Sequence, residues 1–394
     1  MSKTLNIGLF GFGVVGEGIY HVLQATPSLH ANIQKICIKH ADKPRNAPSH
    51  LFTTSANELL ADDNIQVIVE LIDDAAAAFS IVKQALTNKK AVISANKKMI
   101  AENLSALLAL QTEYNTSFLY EAAVCGAIPV IRNLEEYYDN DLLHSFSGIV
   151  NGSTNFILTQ MNEEGHSYET ALQQAQALGF AESNPDLDVT GKDALNKLLI
   201  VLQHAYGLLA PKEDIVHLGI THLQARDVVY SKEKGYKIKL VATAKRINAQ
   251  EIVAYILPTF VTPDSQLYAI RNEFNGVLIG SKLADAQFLY GKGAGRYPTS
   301  SAVLSDISAL RYNYRYEYRK TKANFGYQLS QDFLLKIYVS FETEADLQFS
   351  DFQEIEERYV SKEGQYLIGT ISLQQLQNST WLYSPKVSVI AYLS

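Results

Sequence analysis

The sequence LNIGLFGFGVVG at residues 5–16 decides the fold of the first part of the chain. Its apolar run Leu5–Phe10 predicts a strand, and the glycine pattern after it leads into a helix-like stretch that ends near Leu23. In such a turn Gly11 permits the tight reversal, Gly13 lets a pyrophosphate approach the backbone, and Gly16 lets the helix pack closely on the strand. The N–H groups at the start of the helix then point at the phosphates. The sequence therefore predicts a dinucleotide site made by Gly11, Phe12, Gly13, Val14, Val15 and Gly16.

Further strand and helix units follow, which favours a Rossmann-type sheet over an isolated cluster of packing glycines. The predicted strands are Gln34–Ile38, Val67–Leu71, Ala91–Ser94 and Phe118–Tyr120, and the predicted helices are Ala75–Leu86 and Leu104–Glu113. Open α/β sheets bind ligands at the carboxyl ends of their strands, so we expect Ser94 and Lys97 beside the nicotinamide. A surface pair, Lys97 and Lys98, would give the same sequence.

The end of the second strand indicates which dinucleotide binds. An NAD site places Asp or Glu there to accept from the ribose 2′-hydroxyl, but this strand ends in Lys39. Together with Lys43 and Arg45, Lys39 can pair with a 2′-phosphate, which favours NADP over NAD. A solvated basic loop is the alternative.

Length and composition restrict the class of protein. The chain has 394 residues, which predicts two or three domains, and its 34 basic and 41 acidic residues give a net charge of −7 without a long basic run. We therefore expect neither a nucleic-acid nor a membrane partner. Cys37 and Cys125 lie too far apart in sequence for a disulfide framework or a cysteine zinc site. With no signal sequence and no run of 18 apolar residues, the prediction is a cytoplasmic protein.

Small residues fill the segment from Glu121 to Pro129, which precedes a predicted helix, Ile128–Glu136. Backbone carbonyls in such a loop suit a hard cation. Cys125 suggests another possibility, the thiol nucleophile of an acylating aldehyde dehydrogenase, although buried unreactive cysteine is commoner.

A predicted strand, His144–Val150, runs into the polar turn Asn151–Asn155, which can cap a helix over Phe156–Asn162. The turn presents hydroxyls and amides, Thr154 among them, to a ligand.

Acidic residues gather before the predicted helix Asp193–Ala205. Asp193 and Lys197 are four residues apart and share one face of that helix. Carboxylates can bind the ammonium group of a small substrate, and a lysine can move a proton to or from its hydroxyl. The alternative is an exposed ion pair.

A second glycine loop, Tyr290–Pro298, contains Gly293 and precedes another predicted helix. We expect it to close over the cofactor from a second domain, with a plain interdomain turn as the alternative.

Six motifs in this order resemble the homoserine dehydrogenase family. They are GFGVVG, SANK, YEAAVCGAIP, GIVNGSTNFIL, GFAE followed by P, DV, G, DA and K at the family's spacing, and GAGRYPTSSAV, spread over residues 5 to about 307. The resemblance implies NAD(P)-dependent interconversion of L-homoserine and L-aspartate 4-semialdehyde, on the route to threonine and methionine. Because the fingerprint comes within the first dozen residues, we expect a monofunctional chain without a preceding kinase module.

The resemblance also implies roles for individual residues. Glu182, Asp188 and Asp193 would bind substrate, Lys197 would transfer the hydroxyl proton, and Lys97 would stabilise the alkoxide. A sodium-type ion would bind the backbone carbonyls of Glu121, Val124, Gly126 and Ile128, although Cys125 and Ala127 stand where the family has glycine. Ser153 replaces the usual threonine and keeps its hydroxyl. The family implies a homodimer formed through the second domain.

Beyond about Ser308 the resemblance fades. Alternating tyrosines, Tyr312 to Tyr318, predict a strand, and base stacking on those rings is a less favoured alternative. The tail also predicts the strands Phe333–Phe341, Tyr366–Ile371 and Lys386–Leu393 around a helix over Phe352–Tyr359. An ACT-type domain stands here in some relatives, which implies threonine as an effector, but the Pro-Gly turn usual after its first strand is missing.

The predicted fold class is α/β, a Rossmann-type dinucleotide-binding domain (1–130), an α+β catalytic and dimerisation domain (131–310) and a small α+β C-terminal domain (325–394). Two other classes stay open: an acylating dehydrogenase that depends on Cys125, and an NADP-binding regulator without turnover.

Overall fold

A computed structural model describes residues 4–140, 142–361 and 364–393. The chain forms two compact units. The first runs to Asp139 and resumes at Lys292–Lys322, and the second consists of Asn140–Gly291 and the segment from Ala323 onward.

The described residues form the following elements. The strands are β1 (Leu5–Phe10), β2 (Ala31–Cys37), β3 (Phe52–Thr53), β4 (Val67–Glu70), β5 (Ala91–Ser94), β6 (Phe118–Leu119), β7 (Leu143–Ile149), β8 (Val216–His217), β9 (Lys237–Arg246), β10 (Glu251–Val261), β11 (Phe274–Ser281), β12 (Asp285–Lys292), β13 (Gln328–Leu329), β14 (Leu334–Phe341), β15 (Glu354–Val360), β16 (Gln365–Ser372) and β17 (Val387–Tyr392). The α-helices are α1 (Val14–Ala25), α2 (Asn57–Leu60), α3 (Ala75–Thr87), α4 (Lys97–Tyr114), α5 (Val130–Arg132), α6 (Gly152–Thr159), α7 (Tyr168–Ala177), α8 (Asp186–Val189), α9 (Lys192–Tyr206), α10 (Ala225–Glu233), α11 (Arg296–Leu310), α12 (Arg319–Ala323) and α13 (Leu373–Asn378). Turns of π-helix, Asn133–Tyr137 and Gln160–Glu164, continue α5 and α6.

The first unit contains a parallel sheet in the order β3-β2-β1-β4-β5-β6, which confirms the predicted Rossmann-type fold. Its register aligns the carboxyl ends of four strands, because Phe10 lies opposite both Cys37 and Glu70, and Glu70 lies opposite Ser94. The edge at which ligands bind therefore brings together the glycine turn after β1 and the loops after β2, β4 and β5.

Helix α4 begins seven residues before the predicted start at Leu104. Asn103 has a non-helical φ of −128°, which kinks the helix just before the predicted start. The sequence pattern therefore revealed the second half of α4 and missed the half that carries Lys97.

Helix α11 belongs to the first unit and packs on α1. Arg296 forms an ion pair with Glu17, and the Ser300 hydroxyl donates to the carbonyl of Val15. A Cβ on Gly18 would lie 2.7 Å from the Ser300 Oγ, so glycine is needed where the two helices touch.

The tyrosine-rich segment is not a strand, so that prediction was wrong. Tyr316 and Tyr318 are buried, and their hydroxyls bond to the Tyr120 backbone N–H at 3.3 Å and to the Tyr120 hydroxyl at 3.1 Å. Gln111 donates to Tyr318 at 3.0 Å. Every second residue of this segment is a tyrosine, and two of these rings, Tyr316 and Tyr318, are buried in the first unit and closed to base stacking.

The second unit is built on a large sheet in the order β12-β11-β7-β9-β10-β17-β14-β16-β15, with β8 and β13 also paired to β10. Strands β9 and β10 form a long antiparallel ladder from Lys237 to Val261. Helix α9 is buried along nearly its whole length, which fixes its first turns firmly.

The C-terminal segment confirms three of its predicted strands, as β14, β16 and β17. The helix predicted over Phe352–Tyr359 is wrong, because these residues form β15, an edge strand that pairs antiparallel with β16. Ile355 and Tyr359 are four residues apart, which imitates a helical apolar face, although both side chains are largely exposed on the edge strand.

The predicted boundaries at 130, 310 and 325 do not coincide with the two units. Helix α11 lies in the first unit, and β17 joins β14 to β10 within one sheet of the second. The three-domain organisation stays a prediction. Across the described residues, none of the helices is both long and apolar enough to cross a lipid bilayer.

Candidate active site

The glycine turn has the geometry that its three glycines predict. Gly11 has φ +91°, and a Cβ there would lie 2.7 Å from the carbonyl of Leu71. A Cβ on Gly16 would lie 2.4 Å from the carbonyl of Gly11. By contrast, no atom lies within 4 Å of a Cβ placed on Gly13, the N-cap of α1. The open position is the one where a pyrophosphate must approach the backbone, so these residues fit a dinucleotide.

The loops after β4 and β5 are linked by a buried carboxylate that sequence reasoning missed. Glu70 has no exposed surface and accepts hydrogen bonds from the Ser94 hydroxyl at 2.6 Å and the Ile72 N–H at 2.7 Å. Burial raises the pKa of Glu70 to about 7. The predicted cofactor residue Ser94 is thus also a buried structural donor.

Lys97 begins α4 immediately after this link. Its neighbour Asn96 caps the helix by accepting from the Met99 N–H at 2.9 Å, and the Asn96 N–H donates to the Ser94 hydroxyl at 3.0 Å. The carboxyl edge of the sheet therefore holds the start of the helix that presents Lys97.

A basic cleft of about 470 Å³ lies at the end of β2 and is lined by Lys43, Arg45 and Phe52. Arg45 donates to the Lys43 carbonyl at 2.7 Å and its guanidinium lies 5.5 Å from the centre of the Phe52 ring. Lys39 is exposed just beyond the strand and does not line this cleft.

The segment predicted to hold a cation is a compact turn in the first unit. Cys125 has φ +56° and Gly126 has φ +50°, so a cysteine occupies the left-handed conformation that glycine favours. The Cys125 side chain is buried, which argues against its role as an accessible nucleophile. The carbonyls of Glu121 and Ile128 each accept a backbone N–H, from Val124 at 3.3 Å and Val130 at 2.8 Å. One lone pair on each carbonyl stays available, so a cation is compatible with the turn.

The side chain of Glu121 is used to hold the next segment. Its two carboxylate oxygens accept the N–H groups of Ile131 and Arg132, both at 2.9 Å. Burial, together with the nearby Asp306 carboxylate, raises the pKa of Glu121 to about 8. This carboxylate orders the turn through backbone donors.

Gly293 contacts this same turn. A Cβ on Gly126 would lie 2.5 Å from the Gly293 carbonyl, and the Ala127 N–H donates to the Lys292 carbonyl at 3.2 Å. Because Lys292–Lys322 belong to the first unit, Gly293 lies in the same unit as the glycine turn, and the expectation that it reaches the cofactor from a second domain was wrong.

The second unit brings the predicted lysine and two of the predicted carboxylates together. Lys197 is 7% exposed, and its ammonium group donates to Asp193 Oδ2 at 2.7 Å and to the Val150 carbonyl at 2.6 Å. Asn151 Nδ2 donates to Asp188 at 2.7 Å and to Asp193 at 2.8 Å. The pair is buried, so the alternative of an exposed ion pair was wrong.

Asn151 is the residue that sequence reasoning noticed only as a cap. Its Oδ1 accepts the Thr154 N–H at 2.8 Å, which starts α6, while its amide N–H groups hold the two aspartates. Thr154 is 1% exposed and its hydroxyl lies 3.0 Å from Asn151 Oδ1. Glu182 is exposed in the loop before α8.

The arrangement in the second unit can bind a small cation and move a proton. Two of the three N–H groups of Lys197 are held by fixed acceptors, so its ammonium cannot rotate freely. Asp188 and Asp193 have two formal negative charges against the one positive charge of Lys197, which suits an ammonium-bearing substrate.

A Rossmann-type sheet with an open glycine turn, and a buried lysine held by carboxylates, define the class of NAD(P)-dependent dehydrogenases. A family model described as homoserine dehydrogenase matches residues 129–308, and one described as homoserine dehydrogenase, NAD binding domain, matches residues 11–121. The chain belongs to the homoserine dehydrogenase family.

Individual relatives agree. The homoserine dehydrogenase of Bacillus subtilis is 35% identical over 322 residues, 79% of this chain and 74% of that protein. The enzyme of Helicobacter pylori is 35% identical over 344 residues, 85% of this chain and 79% of that protein. The crystal structure of a homoserine dehydrogenase from Thiobacillus denitrificans covers 100% of this chain and 99% of its own, with a TM-score of 0.84 and 27% identity.

These findings confirm the predicted family, fold class and activity. The chain is an NAD(P)-dependent oxidoreductase of amino-acid biosynthesis that acts on L-homoserine and L-aspartate 4-semialdehyde. Both other classes, the thiol-dependent acylating dehydrogenase and the idle regulator, are thereby disfavoured.

Proposed function

We propose that Lys197, in its neutral amine form, accepts the hydroxyl proton of homoserine in the oxidative direction and, in its ammonium form, returns that proton in the reductive direction. The supporting observation is its burial between Asp193 and the Val150 carbonyl, which fixes the position of Nζ. When bound, the nicotinamide accepts the hydride from the carbinol carbon. Lys97 stabilises the alkoxide oxygen electrostatically while that hydride leaves.

The carboxylates bind the amino end of the substrate. Asp188 and Asp193 share the Asn151 amide as a donor, which orients their remaining acceptor sites. Glu182, exposed in the preceding loop, completes the ammonium site, and Thr154 contributes at the start of α6. Cofactor contacts come from the turn Gly11–Gly16, from Ser94 and Lys97, and from Gly293.

The test is absorbance at 340 nm with L-homoserine and either NADP or NAD. We expect homoserine-dependent reduction that falls by about 10²- to 10⁴-fold in Lys197→Ala, the range for losing a general acid–base group. Lys192→Ala is the matched control, since Lys192 lies on the same helix in an exposed pair with Asp186 at 3.0 Å. An equally fast Lys197→Ala would overturn the role of Lys197.

We propose NADP as the preferred cofactor. Lys43 and Arg45 line the cleft at the end of β2 and Lys39 lies exposed beside it, which supports recognition of a 2′-phosphate. Arg45→Ala and Lys39→Ala should raise KM for NADP about tenfold, the effect of one charge-assisted hydrogen bond, and leave KM for NAD within about twofold. Lys35→Ala is the control, because Lys35 lies on β2 and pairs with Glu58 of α2 at 3.7 Å. Equal effects on both cofactors would contradict this preference.

A monovalent cation such as Na⁺ at the carbonyls of Glu121, Val124, Gly126 and Ile128 is a separate proposal. It is supported by the left-handed turn at Cys125 and Gly126, and by the carbonyls of Glu121 and Ile128, each of which accepts one backbone N–H. Replacing sodium by a bulky organic cation at constant ionic strength should lower activity or thermal stability. Unchanged activity and stability would contradict a cation at this site.

We also propose a homodimer formed through the second unit. The edge strand β12 exposes Phe288 and Tyr290, which supports an interface there. Light scattering on the purified protein should give twice the mass of 43.8 kDa, and a monomer at the assay concentration would contradict the proposal.

Regulation by threonine and a cytoplasmic location complete the proposal. Strands β14 to β17 of the C-terminal segment are neighbours in the large sheet, which supports an effector domain of ACT type. Cys37 and Cys125 form no disulfide, which fits a reducing compartment. Threonine at millimolar concentration should lower activity or raise thermal stability. Without either change, the effector is excluded.

A further inference from the structure

A buried carboxylate stands at the ligand-binding edge of the parallel sheet, outside every role given above. Glu70 is the last residue of β4, lies opposite Phe10 of β1 and Ser94 of β5, and has no exposed surface. Among the ion pairs of the described residues none involves Glu70, whose donors are the Ser94 hydroxyl and the Ile72 N–H. An apolar side chain would be cheaper to bury here, so the carboxylate needs a reason.

The hydrogen bonds around Glu70 form a closed link between two loops. Ser94 donates to Glu70 and accepts from the Asn96 N–H, and Asn96 Nδ2 donates to the Ile72 carbonyl at 2.9 Å. Ile72 in turn donates to the second oxygen of Glu70. The link thus joins the loop after β4 to the loop after β5.

This link also sets the first turn of α4. Asn96 caps the helix through the Met99 N–H, and Lys97 is the next residue along the chain. A shift of Ser94 therefore moves Asn96, and a shift of Asn96 moves the backbone from which Lys97 extends. Since alkoxide stabilisation depends steeply on distance, such a shift affects the chemical step more than the binding of cofactor.

We propose that Glu70 is a positioning residue that acts through Ser94 and Asn96 to hold Lys97 in its catalytic position. This inference rests on the proposed function, because it requires the role given to Lys97. The ionised carboxylate is the better acceptor for two donors. Burial, and further the nearby Asp73, raise the pKa of Glu70 to about 7. Lys97 is therefore positioned most firmly above neutral pH, where Glu70 is ionised.

The experiment compares Glu70→Gln and Ser94→Ala with the parent enzyme by steady-state kinetics and by direct cofactor binding. Glutamine keeps one acceptor for the Ile72 N–H and presents an amide to the Ser94 hydroxyl. We expect kcat to fall about tenfold in both variants, as for weakening one hydrogen bond to a charged group. In Glu70→Gln the Kd for the cofactor should stay within about threefold, and the rise of kcat with a midpoint near pH 7 should flatten.

Asp74→Ala is the matched control, because Asp74 lies in the same loop and caps α3 through the Ala77 N–H. It should lower the melting temperature without changing kcat per folded enzyme or its pH profile. If Glu70→Gln behaves like Asp74→Ala, Glu70 is merely structural and the inference is overturned. Weakened cofactor binding in Glu70→Gln with kcat unchanged would also overturn it, since Glu70 would then act on the cofactor site and not on Lys97.

A double variant separates this inference from the function beneath it. If Glu70 acts through Lys97, Glu70→Gln should slow the enzyme no further in a Lys97→Ala background. Multiplying effects would overturn the path through Lys97. A Lys97→Ala enzyme as fast as the parent would instead overturn the proposed role of Lys97 itself, whatever Glu70→Gln does.

Discussion

Two buried carboxylates, Glu70 in the first unit and Asp193 in the second, stand in opposite electrostatic surroundings. Glu70 accepts from a hydroxyl and a backbone N–H, and burial raises its pKa to about 7. Asp193, 4% exposed, accepts from the Lys197 ammonium at 2.7 Å and the Asn151 amide at 2.8 Å. The carboxyl group of Glu70 therefore has a pKa near 7 in the first unit, whereas the carboxylate of Asp193 is held beside a cation in the second.

The difference shows how one chain obtains two kinds of buried acid. A carboxylate that meets only neutral donors can change its charge near physiological pH, whereas one that contacts an ammonium stays paired with it. The first suits adjustment of a loop, and the second suits a fixed receptor for a charged substrate.

The largest effect is expected from Lys197→Met, which removes the cation from Asp193. We expect stability to fall by about 3–5 kcal/mol at pH 7, because Asp193 becomes an uncompensated buried charge. Urea unfolding measures this loss, which should shrink at pH 4, where the carboxylate can be protonated. A loss that is equal at both pH values would show that packing, and not charge, is responsible.

Asn151 offers a way to change the receptor without touching its lysine. Asn151→Asp keeps the cap of α6 but removes both donors and adds a like charge beside Asp188 and Asp193, so KM for homoserine should rise about tenfold or more. Asn151→Ala loses the donors and the cap, costing about 1 kcal/mol of stability, but adds no charge. Initial rates and melting curves check both, and a smaller kinetic effect in Asn151→Asp than in Asn151→Ala would contradict the electrostatic explanation.

Glu70→Gln should reveal the pH dependence that distinguishes Glu70 from Asp193. In the folded protein Glu70 keeps its proton up to about pH 7, whereas the ordinary pKa of a glutamate side chain is 4.5. Its contribution to stability is therefore complete below about pH 4.5 and is lost as the pH rises through 7. The stability of Glu70→Gln relative to the parent should rise by up to about 3 kcal/mol between pH 4 and 8. A pH-independent difference in unfolding free energy would contradict the raised pKa.

The smallest effect is expected from Lys192→Ala, at an acid–lysine pair on the surface. Lys192 Nζ lies 3.0 Å from Asp186 Oδ2, and the two side chains are 50% and 54% exposed, so solvent screens their attraction. The free energy of unfolding should change by less than about 0.5 kcal/mol. A change as large as that of Lys197→Met would mean that burial does not control the strength of these pairs.

The sequence revealed the residues that chemistry requires at fixed spacing. The glycine turn at Gly11–Gly16 and the pair Asp193 and Lys197 could be predicted, because the first needs strand and helix neighbours and the second needs only helical periodicity. Glu70 could not be found, because it ends an apolar strand and its partner Ser94 is 24 residues away. The tyrosine segment misled for a related reason, since period-two alternation reports an extended chain but not whether a neighbouring strand exists.

Strand β17 lies inside the large sheet, between β10 and β14, although its residues 387–392 come late in the chain. Both neighbours leave the ribosome before it does. During synthesis Ile337–Phe341 of β14 and the end of β10 therefore present unfilled hydrogen-bonding edges until β17 arrives. Slow translation just before residue 387 would prolong that exposure.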